Sequence, residues 1–282
     1  MKQCCRYIEE FKETGNWNLD TTSDSARNGH LDCLKYAHEN GCQWNEYTTS
    51  NAAIYGHLDC LKYAHENGCP WSRITTSSAA INGYLDCLKY AHENGCQWNE
   101  YTTSNAAIYG HLDCLKYVYE NGCPWSRITT SSAAENGHLE CLKYAHENGC
   151  PWNEYTTSDA ARNGYLDILK YAHKNGCPWD NQTTSITSQN GNLIYLKYAL
   201  ENGCPWDERG TLSNLNRHAF KIDLDDNWWR TFLFNKDLTS HTSLQMLVNA
   251  KKKEIKQLQA SSEILFSYTP KDVVKYILWP YF

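Results

Sequence analysis

The side chains best suited to chemistry are histidine–cysteine pairs in which the two residues are four positions apart. His38 and Cys42 form the first pair. The equivalent pairs are His65 with Cys69, His92 with Cys96, His146 with Cys150, and His173 with Cys177. Residues at i and i+4 share one face of a helix, so each pair could supply two zinc ligands, or a thiol and its general base.

The spacing between successive pairs argues against both kinds of chemistry. Zinc needs three or four ligands within about 2.3 Å of one point, and the next pair lies a whole repeat unit away. No glycine-rich phosphate loop, paired-carboxylate motif or nucleophile elbow occurs elsewhere. We therefore predict a protein that is not an enzyme, with structural cysteines beside surface histidines and without a metal ion or cofactor.

The pairs recur because the chain repeats itself every 27 residues, seven times, over residues 21–209. A unit of this size cannot bury its own apolar face and does so only by stacking on its neighbours. The sequence therefore predicts an all-α solenoid, a stack of helical repeats in which each repeat forms one layer.

Glycine positions predict two short helices in each repeat. In the second repeat, Gly56 ends the first helix and Gly68 ends the second, because a left-handed residue at a helix end is sterically cheap only for glycine. Pro70, two positions on, prevents the second helix from resuming. A Thr-Thr-Ser triplet opens the first helix, as at residues 48–50. We expect its hydroxyls to accept hydrogen bonds from the amides of the first turn.

Apolar residues at fixed repeat positions predict how the layers pack. Ala52 and Ala53 allow neighbouring first helices to approach closely, while Leu58 and Leu61 lie on the apolar face of the second helix. A tryptophan follows each second helix, as at Trp71. We expect it to pack between repeats with its indole nitrogen bonded to a loop carbonyl, rather than to form an exposed row for ligand stacking.

Twelve of the fourteen cysteines fall in two columns that follow the repeat. Stacked helices lie roughly 8–10 Å apart, whereas a disulfide tolerates a Cα separation of up to about 7 Å. We therefore predict buried thiols in a reducing compartment, the cytoplasm. No apolar run is long enough to span a membrane, and the net charge of −6 argues against a nucleic-acid partner.

The stretch Gly-His-Leu-Asp-Cys-Leu-Lys-Tyr-Ala-His-Glu-Asn-Gly-Cys, preceded by an Ala-Ala helix, resembles the second half of an ankyrin repeat. The short form ending in Cys-Pro-Trp is similar to divergent ankyrin-type repeats of large DNA viruses and some protists. The resemblance implies a scaffold for protein–protein interaction, in the host cytoplasm if the chain is viral. Ankyrin repeats usually have about 33 residues, and the six missing here belong to the β-hairpin finger, so we expect little or no β structure.

One position near the end of the first helix differs most between repeats and suggests a binding surface. In order, the residues at this position are Arg27, Ile54, Ile81, Ile108, Glu135, Arg162 and Gln189. A position that accepts such different residues is expected to be exposed, so its three isoleucines would form an apolar stripe. The alternative is that the isoleucines pack against the next loop.

We call the predicted site in repeats two to six the first-helix surface. It consists of Ile54, Tyr55, His57, Ile81, Tyr84, Ile108, Tyr109, His111, Glu135 and Arg162. The resemblance implies the same location, because ankyrin-like stacks bind proteins mainly through their first helices and connecting loops.

The two ends of the array differ from the repeats. Residues 1–20 are predicted to form an N-terminal capping half-repeat and residues 210–282 a helical C-terminal cap, with helices at about 242–260 and 270–279. Residues 268–278 loosely resemble the opening of an F-box, which poxvirus ankyrin proteins carry at the C-terminus to recruit a ubiquitin ligase through Skp1. The alternative function is therefore a substrate adaptor for a Skp1-type ubiquitin ligase.

Overall fold

The computed structural model describes residues 3–99 and 101–266, and the side chains of residues 6–99 and 101–260. Over these residues it contains helices and loops and no strand, as the sequence predicted. The chain divides into two compact units, Met1–Asp180 and Asn181–Phe282.

The first unit consists of one helix followed by six helix pairs, each pair being one layer. The helix that precedes the pairs is α1 (Gln3–Thr14). The first helices of layers 1 to 6 are α2 (Thr21–Arg27), α4 (Thr48–Ile54), α6 (Thr75–Asn82), α8 (Thr102–Ile108), α10 (Thr129–Glu135) and α12 (Thr156–Asn163). The second helices are α3 (Leu31–Glu39), α5 (Leu58–Glu66), α7 (Leu85–Glu93), α9 (Leu112–Glu120), α11 (Leu139–Glu147) and α13 (Leu166–Lys174).

Both helices of a layer end at glycine, as predicted. In layer 2, Gly56 has φ 74° and Gly68 has φ 85°. After each of these glycines, the next amide bonds back to the last turn of the helix, His57 to the Ala52 carbonyl and Cys69 to the Ala64 carbonyl, both at 2.9 Å. This is the Schellman arrangement, which satisfies carbonyl groups that would otherwise lack a partner.

The Thr-Thr-Ser triplet does not cap the first helix, and this prediction was wrong. The helix begins at the first threonine, and no side chain of α4 or its equivalents accepts a capping hydrogen bond. The second threonine instead joins two layers: the fully buried Thr49 donates to the Pro70 carbonyl at 3.2 Å and accepts from the Ser72 amide at 3.1 Å. Thr103, Thr130 and Thr157 make the same two bonds to the loops that follow them.

The core of the first unit lies between the first helices and along the inner face of the second helices. Each first helix packs on the first helix of the next layer and on its own second helix. Ala52, Ala53 and Leu61 are fully buried, and so are their equivalents in layers 3 to 6. The alanines keep the contacts between first helices close, as the sequence predicted.

Helix α1 packs against α2 and α3. Phe11, on α1, stacks on Trp17 with ring centroids 3.8 Å apart, and the Trp17 indole nitrogen donates to the Asn40 carbonyl of layer 1 at 3.0 Å. Both rings are half-buried. The domain boundary at residue 20 stays a prediction.

The second unit begins with one more helix pair and continues without the repeat. Its helices are α14 (Thr183–Gln189), α15 (Leu193–Glu201), α16 (Glu208–Arg217), the 3-10 helix Ala219–Lys221, α17 (Asn227–Phe234) and α18 (Thr242–Phe266). Its core includes Leu215, Trp229, Leu233 and Leu244. The boundary at residue 209 stays a prediction. The expected helix at 270–279 and the F-box-like residues 268–278 lie outside the described residues.

Candidate functional site

The first-helix surface is formed by the C-terminal ends of α4, α6, α8, α10 and α12. Glu135 and Arg162 are exposed, whereas Ile54, Ile81 and Ile108 are half-buried. The three isoleucines are therefore less exposed than the sequence suggested. The aromatic rings beside them carry most of the exposed apolar area: Tyr55 and Tyr84 are 40% exposed and Tyr109 is 53% exposed.

Three predicted site residues also hold adjacent layers together. An added Cβ at Gly56 would lie 2.5 Å from the Tyr84 ring, and one at Gly29 would lie 2.6 Å from the His57 ring. His111 covers Gly83 in the same way. Each of these rings thus lies directly on the glycine that ends the first helix of the preceding layer. This role was missed in the sequence, although the position holds only His or Tyr in layers 1 to 6.

Charged residues flank the tyrosines on this surface. In layer 1, the Arg27 guanidinium lies over the Tyr55 ring, 5.4 Å from its centroid, and Nε donates to the Tyr55 hydroxyl at 3.2 Å. In layer 6, Arg162 forms an ion pair of 2.8 Å with Asp159. Burial raises the pKa of the Asp159 carboxyl, and the Arg162 charge opposes that rise. The surface therefore has an aromatic centre between polar ends.

A second exposed column, which we call the loop edge, precedes the first helices of layers 2 to 6. Its apolar residues are Tyr47, Ile74, Tyr101, Ile128 and Tyr155, with exposed fractions between 43% and 54%. The residue before each is charged. The hydrogen bond to the Glu46 carboxylate raises the pKa of the Tyr47 phenol. The sequence showed this alternation, but we did not predict a site there.

The histidines of the His–Cys pairs belong to an aromatic column rather than lying alone on the surface. His38 stacks on Trp44 with centroids 4.5 Å apart, and its Nδ1 is 3.1 Å from the hydroxyl of Tyr63 in the next layer. The Trp44 indole nitrogen donates to the Asn67 carbonyl at 3.0 Å. The predicted packing role of the tryptophans is therefore confirmed. The rings of His38, His65, His92 and His146 each contact a tyrosine ring of the next layer, a role that we did not predict.

The cysteine columns are buried and are not arranged for reactivity. None of the twelve is disulfide-bonded, and all except the partly exposed Cys33 are buried. Burial raises the pKa of Cys60 to about 11 and that of Cys87 to about 12. A reactive thiol has a lowered pKa instead. Among residues with described side chains, no three His, Cys, Asp or Glu residues lie together as a metal site would require.

Comparison with known proteins finds a similarity in structure but none to a protein family or a curated protein. No protein-family model matches the chain, and no curated protein matches it significantly. Among solved structures, it is similar to the crystal structure of the human ASB11 ankyrin repeat domain, with 20% sequence identity and a TM-score of 0.48. The similarity covers 56% of this chain and 84% of that chain. None of the described helices is long and apolar enough to cross a membrane.

Proposed function

We propose that this protein is a non-enzymatic scaffold that binds another protein through the first-helix surface of layers 2 to 6. The observation that carries the proposal is the row of exposed tyrosines Tyr55, Tyr84 and Tyr109, one in each of three successive layers. Tyrosine combines a large apolar ring with a polar tip and few rotatable bonds, and it is enriched among residues that dominate binding energy.

The half-buried isoleucines support the same assignment. Apolar surface beside the tyrosines comes from Ile54, Ile81 and Ile108. Charged side chains follow in the next two layers, at Glu135 and Arg162. An apolar centre with a polar rim is the usual anatomy of a protein interface. We further propose that the protein works in a reducing compartment such as the cytoplasm, because the twelve cysteines of the two columns are thiols rather than disulfides.

A binding experiment with matched tyrosine variants tests the proposed surface. The wild-type protein captures its partner from a cell extract, and mass spectrometry identifies what is retained. The variant Tyr55→Ala/Tyr109→Ala should lose that protein, since each central tyrosine of an interface contributes about 2 kcal/mol or more, roughly 30-fold in affinity.

The control variant is Tyr47→Ala/Tyr101→Ala, which removes two rings of similar exposure from the loop edge. It should keep the captured protein. Circular dichroism verifies that both variants are folded. Retention of every partner by the folded Tyr55→Ala/Tyr109→Ala variant would show that the first-helix surface is not the binding site.

A further inference from the structure

The loop edge has alternating charge in successive layers. Glu46 in layer 2 is followed by Arg73 in layer 3, Glu100 in layer 4, Arg127 in layer 5 and Glu154 in layer 6. A tyrosine follows each glutamate and an isoleucine follows each arginine. Glu100 lies outside the described residues, and its charge is known from the sequence alone.

These charges have no ionic partners within the described part of the chain. Glu46, Arg73, Arg127 and Glu154 are all exposed, and none forms an ion pair with another described residue. Adjacent helical layers lie roughly 8–10 Å apart, whereas an ion pair requires an approach of about 4 Å. An opposite charge on a second molecule can therefore reach each of them.

The alternation makes the edge complementary to itself in one arrangement. Most homo-oligomers are twofold-symmetric dimers in which the same patch meets itself. Two parallel edges would place every layer opposite its own copy, so like charges would face each other. An antiparallel pairing centred on layer 4 has the same fault, because Glu46 would face Glu154 of the second copy. An axis between layers 3 and 4 would place Glu154 opposite Leu19 of the second copy and the exposed Asp20 opposite Tyr155 of the second copy, so neither carboxylate would meet an opposite charge.

We propose that this chain forms an antiparallel dimer with a second copy through the loop edge, with the twofold axis between layers 4 and 5. Layer 3 then faces layer 6 of the second copy, and layer 4 faces layer 5. Arg73 then lies opposite Glu154 of the second copy. Because of the twofold axis, this pairing occurs twice.

The apolar residues match in the same register. Ile74 faces Tyr155 of the second copy, and Tyr101 faces Ile128 of the second copy. Every contact is therefore between an aliphatic side chain and a tyrosine ring, and such pairs stabilise facing surfaces. The residues concerned are about half exposed in the single chain, so they have apolar area to bury on pairing.

The size of the edge sets the strength of the dimer. Four layers span about 30 Å, but the edge is only two residues wide, so the buried area falls below the roughly 1,200 Å² of a standard stable interface. We expect a dissociation constant in the micromolar range, above about 1 μM. Since exposed charges contribute, the dimer should weaken as the ionic strength rises from about 0.05 M to about 0.5 M.

Charge reversal tests the proposed pairing in the full-length chain. Sedimentation equilibrium over about 5–500 μM gives the dimer affinity of the wild type, of Arg73→Glu and of Glu154→Arg. Each variant alone places like charges opposite each other twice, so we expect its dimer to be at least about tenfold weaker. An equimolar mixture of the two variants restores opposite charges at both positions, so it should form a heterodimer of wild-type affinity.

The variant Glu46→Arg is the matched control. Glu46 lies on the same edge but outside the four layers that pair, so its reversal should leave dimer affinity unchanged. A wild type that stays monomeric to about 500 μM, or a mixture as monomeric as its components, overturns the proposal. So does a Glu46→Arg variant as weak as Arg73→Glu. The Tyr55→Ala/Tyr109→Ala variant should dimerise normally, which separates this proposal from partner binding at the first-helix surface.

Discussion

The threonine that joins two layers offers a direct test of how the stack is held together. The substitution Thr49→Val keeps the shape of the side chain and removes its hydroxyl. That hydroxyl donates to the Pro70 carbonyl at 3.2 Å and accepts from the Ser72 amide at 3.1 Å and from the Thr75 hydroxyl at 3.3 Å, so three interlayer hydrogen bonds disappear. At about 0.5–1.5 kcal/mol for each bond, the free energy of unfolding should fall by about 1.5–4.5 kcal/mol.

Two measurements check this loss. Urea unfolding followed by circular dichroism gives the change in free energy, and hydrogen exchange followed by NMR gives the protection of single amides. The Ser72 amide should exchange about tenfold faster or more, since a loss of about 1.4 kcal/mol is a factor of ten. Thr103→Val should show the same effect with a smaller loss of about 1–3 kcal/mol, because Thr103 makes two such bonds, to the Pro124 carbonyl and from the Ser126 amide, at 3.2 Å each.

Ser50→Ala is the matched control for Thr49→Val. The Ser50 hydroxyl donates at 3.1 Å to the carbonyl of Tyr47, the residue just before its own helix, and that carbonyl also accepts from the Asn51 amide at 2.8 Å. Its removal leaves no group without a partner, so we expect a loss below about 0.5 kcal/mol. If Thr49→Val costs no more than Ser50→Ala and leaves Ser72 exchange unchanged, the threonine does not join the layers.

Three further substitutions or conditions should give defined results. Gly83→Ala should destabilise the protein by at least about 1 kcal/mol more than Gly95→Ala, as measured by urea unfolding. Both glycines have positive φ, but only a Cβ at Gly83 would collide with a ring, that of His111. The further substitution His111→Ala should remove the difference. Trp71→Phe should cost about 1 kcal/mol or more by urea unfolding, since it removes the indole bond of 3.0 Å to the Asn94 carbonyl; equal stability would mean that this bond contributes nothing. Because burial raises the pKa of the Cys60 thiol to about 11 and that of the Cys87 thiol to about 12, their contribution to stability should be complete below pH 9 and be lost as the pH rises toward those values; thermal melts across this range check the sign, and stability that does not decline would contradict it.

The features that follow from local backbone chemistry could be predicted from the sequence. Gly56 and Gly68 end helices because of their own conformational freedom, and Ala52 and Ala53 allow close packing because of their own size. The indole contact of the tryptophans was also predictable, since a buried indole nitrogen needs an acceptor. In each of these cases the type of residue alone is enough to predict the feature.

The features that depend on the neighbouring layer were missed or wrong. Thr49 was expected to cap its own helix, but its partners follow 21 and 23 residues later in the chain. His57 was predicted to be a binding residue, and its packing on Gly29 was missed because nothing near it in sequence indicates that contact. In a stack with this period, a residue 27 or 28 positions away in sequence is a spatial neighbour. Short-range sequence patterns therefore cannot predict such contacts, whereas comparison of equivalent positions in adjacent repeats can.

Contact with the next layer also explains which surface positions vary between repeats. The positions that bond across layers keep one chemical type: the second threonine occurs in every repeat, and the tryptophan follows every second helix. Ile54 and its equivalents Glu135 and Arg162, and the loop edge with its alternating Glu46 and Arg73, differ between layers that are otherwise the same. A stack built from nearest-neighbour contacts tolerates most variation at positions that contribute few contacts to the next layer. The two variable columns are therefore where a partner can be selected without cost to the fold.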